Sequence, residues 1–119
     1  MPSTPSKSPA GALRDILKNI ELARSFVAGL SFNDFQADQR TVYAVVRCLE
    51  IISEASRRLP IDLKTRHPEI AWTDMAGAGS IYRHDYQDVR DTLVWHTIEQ
   101  SLGPLHTVVM GELERLTKE

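Results

Sequence analysis

DQRTVYAVVRCLEIISEASRRLP, residues 38–60, carries the longest periodic signal in this sequence. Val42, Val45, Val46, Leu49 and Ile52, continued by Ser56 or Leu59, recur three and four residues apart. That spacing lines one face of a helix over about five turns. Tyr43 and Cys48 sit beside the stripe. Pro60 has no N–H to donate and clashes with the preceding turn, so it stops the helix.

The same period extends outward on both sides. Toward the N-terminus, Leu13, Ile16, Leu17, Ile20, Ala23 and Val27 form a second stripe, which Gly29 ends. Ser31 to Asp34 has the spacing of a helix start, a hydroxyl cap with an acid three residues on. Toward the C-terminus, Asp62 to Arg66 predicts a short helical turn closed by Pro68, and Trp72, Met75 and Ala76 begin a third long segment through Thr73-Asp74. Gly77 and Gly79 each cost that helix about 1 kcal/mol against Ala, while their small size permits close approach of a neighbouring backbone. Val89, Leu93, Val94, Ile98 and Leu102 predict the apolar face of the next helix. Gly103-Pro104 breaks it, and Leu105, Val108, Val109, Leu113 and Leu116 line the last, with Pro104 suited to its first turn. No segment alternates with period two for long. The expectation is an all-α fold, an up-and-down bundle of four to five main helices over residues 11–119. Residues 1–10, rich in Pro and Ser, are expected to be a flexible tail.

Composition narrows the class. With 119 residues the chain suits one domain. Its 14 Lys+Arg against 16 Asp+Glu, with 42% hydrophobic and 25% charged residues, are ordinary for a globular protein. No apolar run approaches the roughly 20 residues of a membrane helix, and no apolar signal core follows Met1, so a cytoplasmic protein is expected. The single Cys48 forbids an internal disulfide and a Cys-based zinc site. His67, His84, His96 and His106 lie too far apart in sequence for a helical metal pair, so no metal or other cofactor is expected. A pI near 6.1 argues against coating nucleic acid by bulk charge and leaves room for a local basic cleft.

One stretch concentrates chemistry: Tyr82-Arg83-His84-Asp85-Tyr86, five residues that each donate or accept hydrogen bonds. Histidine moves protons near neutrality. Arginine offers a planar fork that matches a phosphate. Tyrosine adds a hydroxyl and a stacking face. Two readings stay open on residue types alone, a phosphodiester-handling set and a polar helix junction. Arg57 and Arg58 complement the dipole at the end of the long helix and can also hold a phosphate. Glu50 and Glu54, one turn apart, read as a solvated face.

The segment IAWTDMAGAGSIYRHDYQDVRDTLVWHTIEQSLGPL, residues 70–105, with RCLEIISEASRRLP, residues 47–60, resembles the HepT-like toxins of the HEPN superfamily. The ordered combination of Trp-x-x-Met-Ala-Gly, His-x-Tyr, Val-Trp and Leu-x-Pro-Leu carries the resemblance. It implies a small helical bundle acting as a homodimer, with the motifs of two subunits facing a shared cleft. It also implies metal-independent endoribonuclease activity on RNA, and a partner nucleotidyltransferase antitoxin of the MNT type that transfers AMP to the motif tyrosine. By position His84 is then the acid/base residue, Arg83 a phosphate ligand, and Tyr86 both a site residue and the modified tyrosine. The family pattern sets an Arg, then four to six residues, then the His. Residues 77–79 are Gly, Ala and Gly, so Gly79 stands where the shortest spacing needs the Arg, with Ser80 in the polar position after it. Arg83 adjoins His84 and projects about 100° away from it on a helix, leaving Arg57 or Arg58 as candidate replacements. This departure supports an alternative expectation, a catalytically silent HEPN interaction module. A nucleotide-binding domain using Arg83 and Tyr86 is a third.

Overall fold

The computed structural model describes residues 8–84 and 87–118, and for 80–84 and 87–88 the backbone alone. Among these residues are seven helices and no strand: α1 (Ala10–Val27), α2 (Phe32–Ala37), α3 (Gln39–Arg57), α4 (Ile61–Arg66), α5 (Trp72–His84), α6 (Gln87–Gln100) and α7 (Leu102–Lys118). Five are long and two are single-turn connectors, so the all-α bundle expected from the stripes is the fold.

Local chemistry sets the helix ends. Gly29 adopts φ 80°, a left-handed conformation that costs glycine little, just beyond α1. Ser31 and Asp34 form a reciprocal capping box on α2, with Asp34 N–H donating to Ser31 Oγ at 3.1 Å and Ser31 N–H to Asp34 Oδ2 at 3.2 Å. Asp38 starts α3 by accepting from the Thr41 hydroxyl at 2.8 Å and the Thr41 N–H at 3.4 Å. These bonds, the hydroxyl's first, hold its carboxyl below the ordinary aspartate value. α3 ends at Arg57, three residues before Pro60, and Pro104 lies in the first turn of α7.

α1 packs along α3, α5 lies on another side of α3, and α7 packs against both α1 and α6. Leu13, Ile16 and Ile20 of α1, Val42 and Val45 of α3, and Leu105 and Val109 of α7 are fully buried between them. Each such side chain contributes about 1.5–3 kcal/mol of burial. Phe35 of α2 is fully buried against Trp95 of α6, ring centroids 5.2 Å apart, and Phe32 meets the same indole edge-on at 5.9 Å.

α6 departs from its sequence pattern. Val89 and Leu93, expected inside, are 49% and 38% exposed, whereas Asp91 and Val94 are completely buried. The reason is Trp95. Its docking on Phe32 and Phe35 fixes the rotation of the helix, and Leu93, two residues earlier, lies about 200° round the axis.

Candidate functional site

α5 carries the motif, and its N-terminal half is fastened at several points. Trp72 Nε1–H donates to the carbonyls of Lys64 at 3.1 Å and His67 at 3.0 Å. One turn later the Ala76 carbonyl accepts three side-chain bonds from α3: Ser53 Oγ at 2.9 Å, Arg57 Nε at 3.0 Å and Arg57 Nη2 at 2.6 Å. The next turn brings backbone to backbone. Gly79 is buried, and a Cβ there would lie 3.4 Å from Ser53 Oγ, 3.6 Å from Ser53 Cβ and 3.9 Å from Glu50 Cα. Thus the position where an Arg was expected is the close crossing of α5 on α3.

Beyond that crossing α5 runs through Ser80 and Arg83 to His84, its last residue. The side chains of Ser80, Arg83 and His84, and all of Tyr86, lie outside the described residues. The two arginines of α3 diverge. Arg57 is bound to Ala76, with Nη1 also 3.4 Å from Glu54 Oε2. Arg58 turns to α1, where Nη2 lies 2.9 Å from Asp15 Oδ2. The structure therefore brings Arg57 to α5 and Arg58 away from it. Glu54 is exposed as expected, whereas Glu50 is only 18% exposed and pairs with Arg47 at 3.5 Å.

The first turns of α6 present a group not singled out in the sequence. Asp91 is completely buried, and its Oδ1 accepts from Arg90 Nε at 3.1 Å. Its Oδ2 has no hydrogen-bond partner among the described residues. The Arg90 guanidinium, on a side chain 15% exposed, sits over the ring of Tyr43, with Cζ 5.5 Å from the centroid. Tyr43 itself is 60% exposed. The sequence signal that could have found this set is a charged pair, Arg90-Asp91, inside a helix whose apolar residues fail to share one face.

Two other polar features lie elsewhere. Glu112 of α7, 5% exposed, accepts from Arg66 Nη2 at 2.8 Å and Nε at 3.3 Å, and its Oε2 is 2.6 Å from His67 Nε2. Burial pushes the Glu112 carboxyl up, but the Arg66 and His67 hydrogen bonds and charges outweigh it and hold the group below the ordinary glutamate value. This cluster joins the α4–α5 corner to α7. A cleft of about 350 Å³ opens near it, lined by Glu69, Asp74, Met75, Thr97, Gln100 and Pro104 among others. It lies at the opposite end of α5 from His84 and has no basic side chain, so it is unsuited to a phosphate. His96 is exposed, and His106 Nε2 lies 3.8 Å from Glu21 Oε2. Among the described residues no three metal-ligating side chains converge, and no helix is long and apolar enough to cross a membrane.

Seven helices among the described residues, with His84 ending the fifth, place the chain in the class of small all-α bundles. A family profile described as "Ribonuclease HepT-like" matches residues 16–111, and the chain belongs to that family. It is 40% identical over 106 residues to a Thermococcus cleftensis protein named "Probable ribonuclease HepT", covering 89% of this chain and 93% of that one. A candidate RNase of Caldanaerobacter subterraneus is 34% identical over 109 residues, 92% of this chain and 97% of its own. One from Methanocaldococcus jannaschii is 29% identical over 115 residues, 97% and 92% of the two chains. No solved structure matches.

Proposed function

We propose that the protein is the toxin component of a toxin–antitoxin pair, a metal-independent endoribonuclease working at the cleft of a homodimer. The observation that carries the reading is His84 as the terminal residue of α5, with Tyr86 two residues on in the sequence, in a chain of the HepT-like ribonuclease family. RNA supplies its own nucleophile. A base removes the 2′-hydroxyl proton, the 2′-oxygen bonds to phosphorus, and the bond to the 5′-oxygen breaks as an acid protonates it. The products are a 2′,3′-cyclic phosphate and a 5′-hydroxyl. Two copies of His84 across a two-fold axis serve as base and acid, with Arg83 as phosphate ligand and Ser80, Arg57 and Arg58 as further candidates. Outward-facing Val89 and Leu93, with exposed Tyr43, support pairing of two subunits beside the motif. A nucleotidyltransferase antitoxin neutralises the site by placing AMP on Tyr86, where added negative charge and bulk exclude a substrate phosphate.

The test is cleavage of RNA in chelator by native protein and by His84→Ala, with the product ends identified. Cyclic-phosphate ends that vanish in the variant support the mechanism, and undiminished cleavage by His84→Ala refutes it. A second reading, a silent module that keeps the dimer and the antitoxin surface, is favoured by the buried Gly79 crossing. It predicts a stable complex with the nucleotidyltransferase and no cleavage by protein that mass spectrometry shows to be unmodified at Tyr86.

A further inference from the structure

We propose that Arg90 is the cation that holds the reacting phosphate in this chain, with Asp91 and Tyr43 as its positioning residues. This rests on the ribonuclease reading above. Cleavage through a phosphorane needs a fixed positive group beside the acid and base, because negative charge grows on the non-bridging oxygens. Residues 77–79 supply none, and the backbone at Gly79 is committed to its crossing with α3. Arg57 has two of its three nitrogens on the Ala76 carbonyl and the third beside Glu54.

Arg90 is differently placed. It is the fourth residue of α6, and α6 begins three residues after His84, so it stands on the first turn beyond the motif. Asp91 fixes the Nε side of its fork, and the Tyr43 ring lies under the guanidinium, its centroid 5.5 Å from Cζ. Neither Nη atom is hydrogen-bonded among the described residues, and that edge of the fork is the one best shaped for a phosphate.

Asp91 makes the assignment more specific. A carboxylate removed from water is costly unless its oxygens are well bonded. Asp91 is completely buried with one oxygen unpartnered among the described residues, so its burial is poorly explained by stability. Its one described bond is to the nitrogen that sets the direction of the Arg90 fork. Exposed Tyr43 stacks beneath the guanidinium and offers an aromatic edge to an unpaired base, a common element of single-strand RNA sites.

The experiment has two readouts on the full chain. One is cleavage of a single-stranded RNA in chelator. The other is anisotropy of the same labelled oligonucleotide with 2′-O-methyl groups, which binds without reacting, across a salt series. Arg90→Gln is expected to lower kcat at least 100-fold and to reduce the salt slope of binding by about 0.7, the value for one phosphate contact on a single strand. Arg90→Lys recovers part of both. Asp91→Asn, which keeps the shape, lowers kcat about tenfold. Tyr43→Ala lowers it about fivefold, and Tyr43→Phe recovers most of that loss. Thermal melts identify any variant that fails to fold, and Arg90→Lys and Tyr43→Ala then carry the test.

Cleavage by Arg90→Gln within twofold of native overturns the proposal, while loss of cleavage in His84→Ala leaves the nuclease reading standing. If the native protein binds RNA through Arg90 without cutting it, the nuclease reading fails and the phosphate contact holds. If the native protein neither cuts nor binds RNA, both fall.

Discussion

At its N-terminal end α5 is held by groups distant in sequence, Trp72 on the Lys64 and His67 carbonyls and the neighbouring corner on Glu112 of α7. Around its C-terminal end the neighbouring helices expose Tyr43, Val89 and Leu93 and keep a buried carboxylate whose second oxygen has no described partner. The first end has its polar groups matched to one another. The second leaves apolar side chains and a tyrosine exposed. A helix fastened at one end, with exposed apolar side chains on the helices around the other, suits the presentation of a residue, and the sequence places His84 there.

The two ends should therefore fail differently. His84→Ala is expected to lower RNA cleavage about 1,000-fold, in the range of a lost acid/base group, with the urea midpoint unchanged. A fall in both would erase the distinction between the ends. Glu112→Ala at the other end is expected to cost about 2 kcal/mol by urea unfolding, with cleavage per folded molecule unchanged. The figure lies below the usual cost of breaking a buried pair because Arg66 and His67, 35% and 23% exposed, regain water.

Acid sharpens the same contrast. The folded-state pKa of Glu112 is lowered, so its contribution is complete above about 4.5, its ordinary value, and is lost as pH falls through the lower folded value. Below about pH 4.5 the native urea midpoint should drop more steeply than that of Glu112→Gln, and parallel curves would refute the role. Trp72→Phe, which keeps the ring and removes the shared N–H, should cost about 1 kcal/mol by the same assay. The smallest effect belongs to the crossing between the ends. Gly79→Ala meets only ordinary contacts, so the gain in helix propensity is expected to raise stability by less than about 1 kcal/mol.

Much of this was legible in the residues. The stripes of α1, α3 and α7 gave their buried faces because aliphatic side chains occupy the inward positions at every turn. The cap at Ser31-Asp34 and the break at Pro60 were equally plain, since both act within a few residues. α6 was misread where Asp91 takes an inward position and the aromatic docking turns Val89 and Leu93 outward. Glu112 was invisible for a related reason. An acid on an amphipathic helix looks like solvent-facing surface until its partners, about 45 residues away in sequence, are placed beside it. For the site, the His-x-Tyr pair and the family could be read from the motif, whereas Arg90 could not. Its significance depends on what Tyr43 and Asp91 do to its orientation.

The crossing at Gly79 also constrains how this sequence can change. With the Ser53 side chain and the Glu50 backbone against it at ordinary contact distances, a methyl group fits there, and any longer side chain must leave the crossing past those two residues. The effect of an arginine at 79 is therefore expected to depend on the residues that face it on α3. Substitutions at 50, 53 and 79 are in that sense coupled. The packing at this crossing ties the choice of residue at 79 to its neighbours on α3.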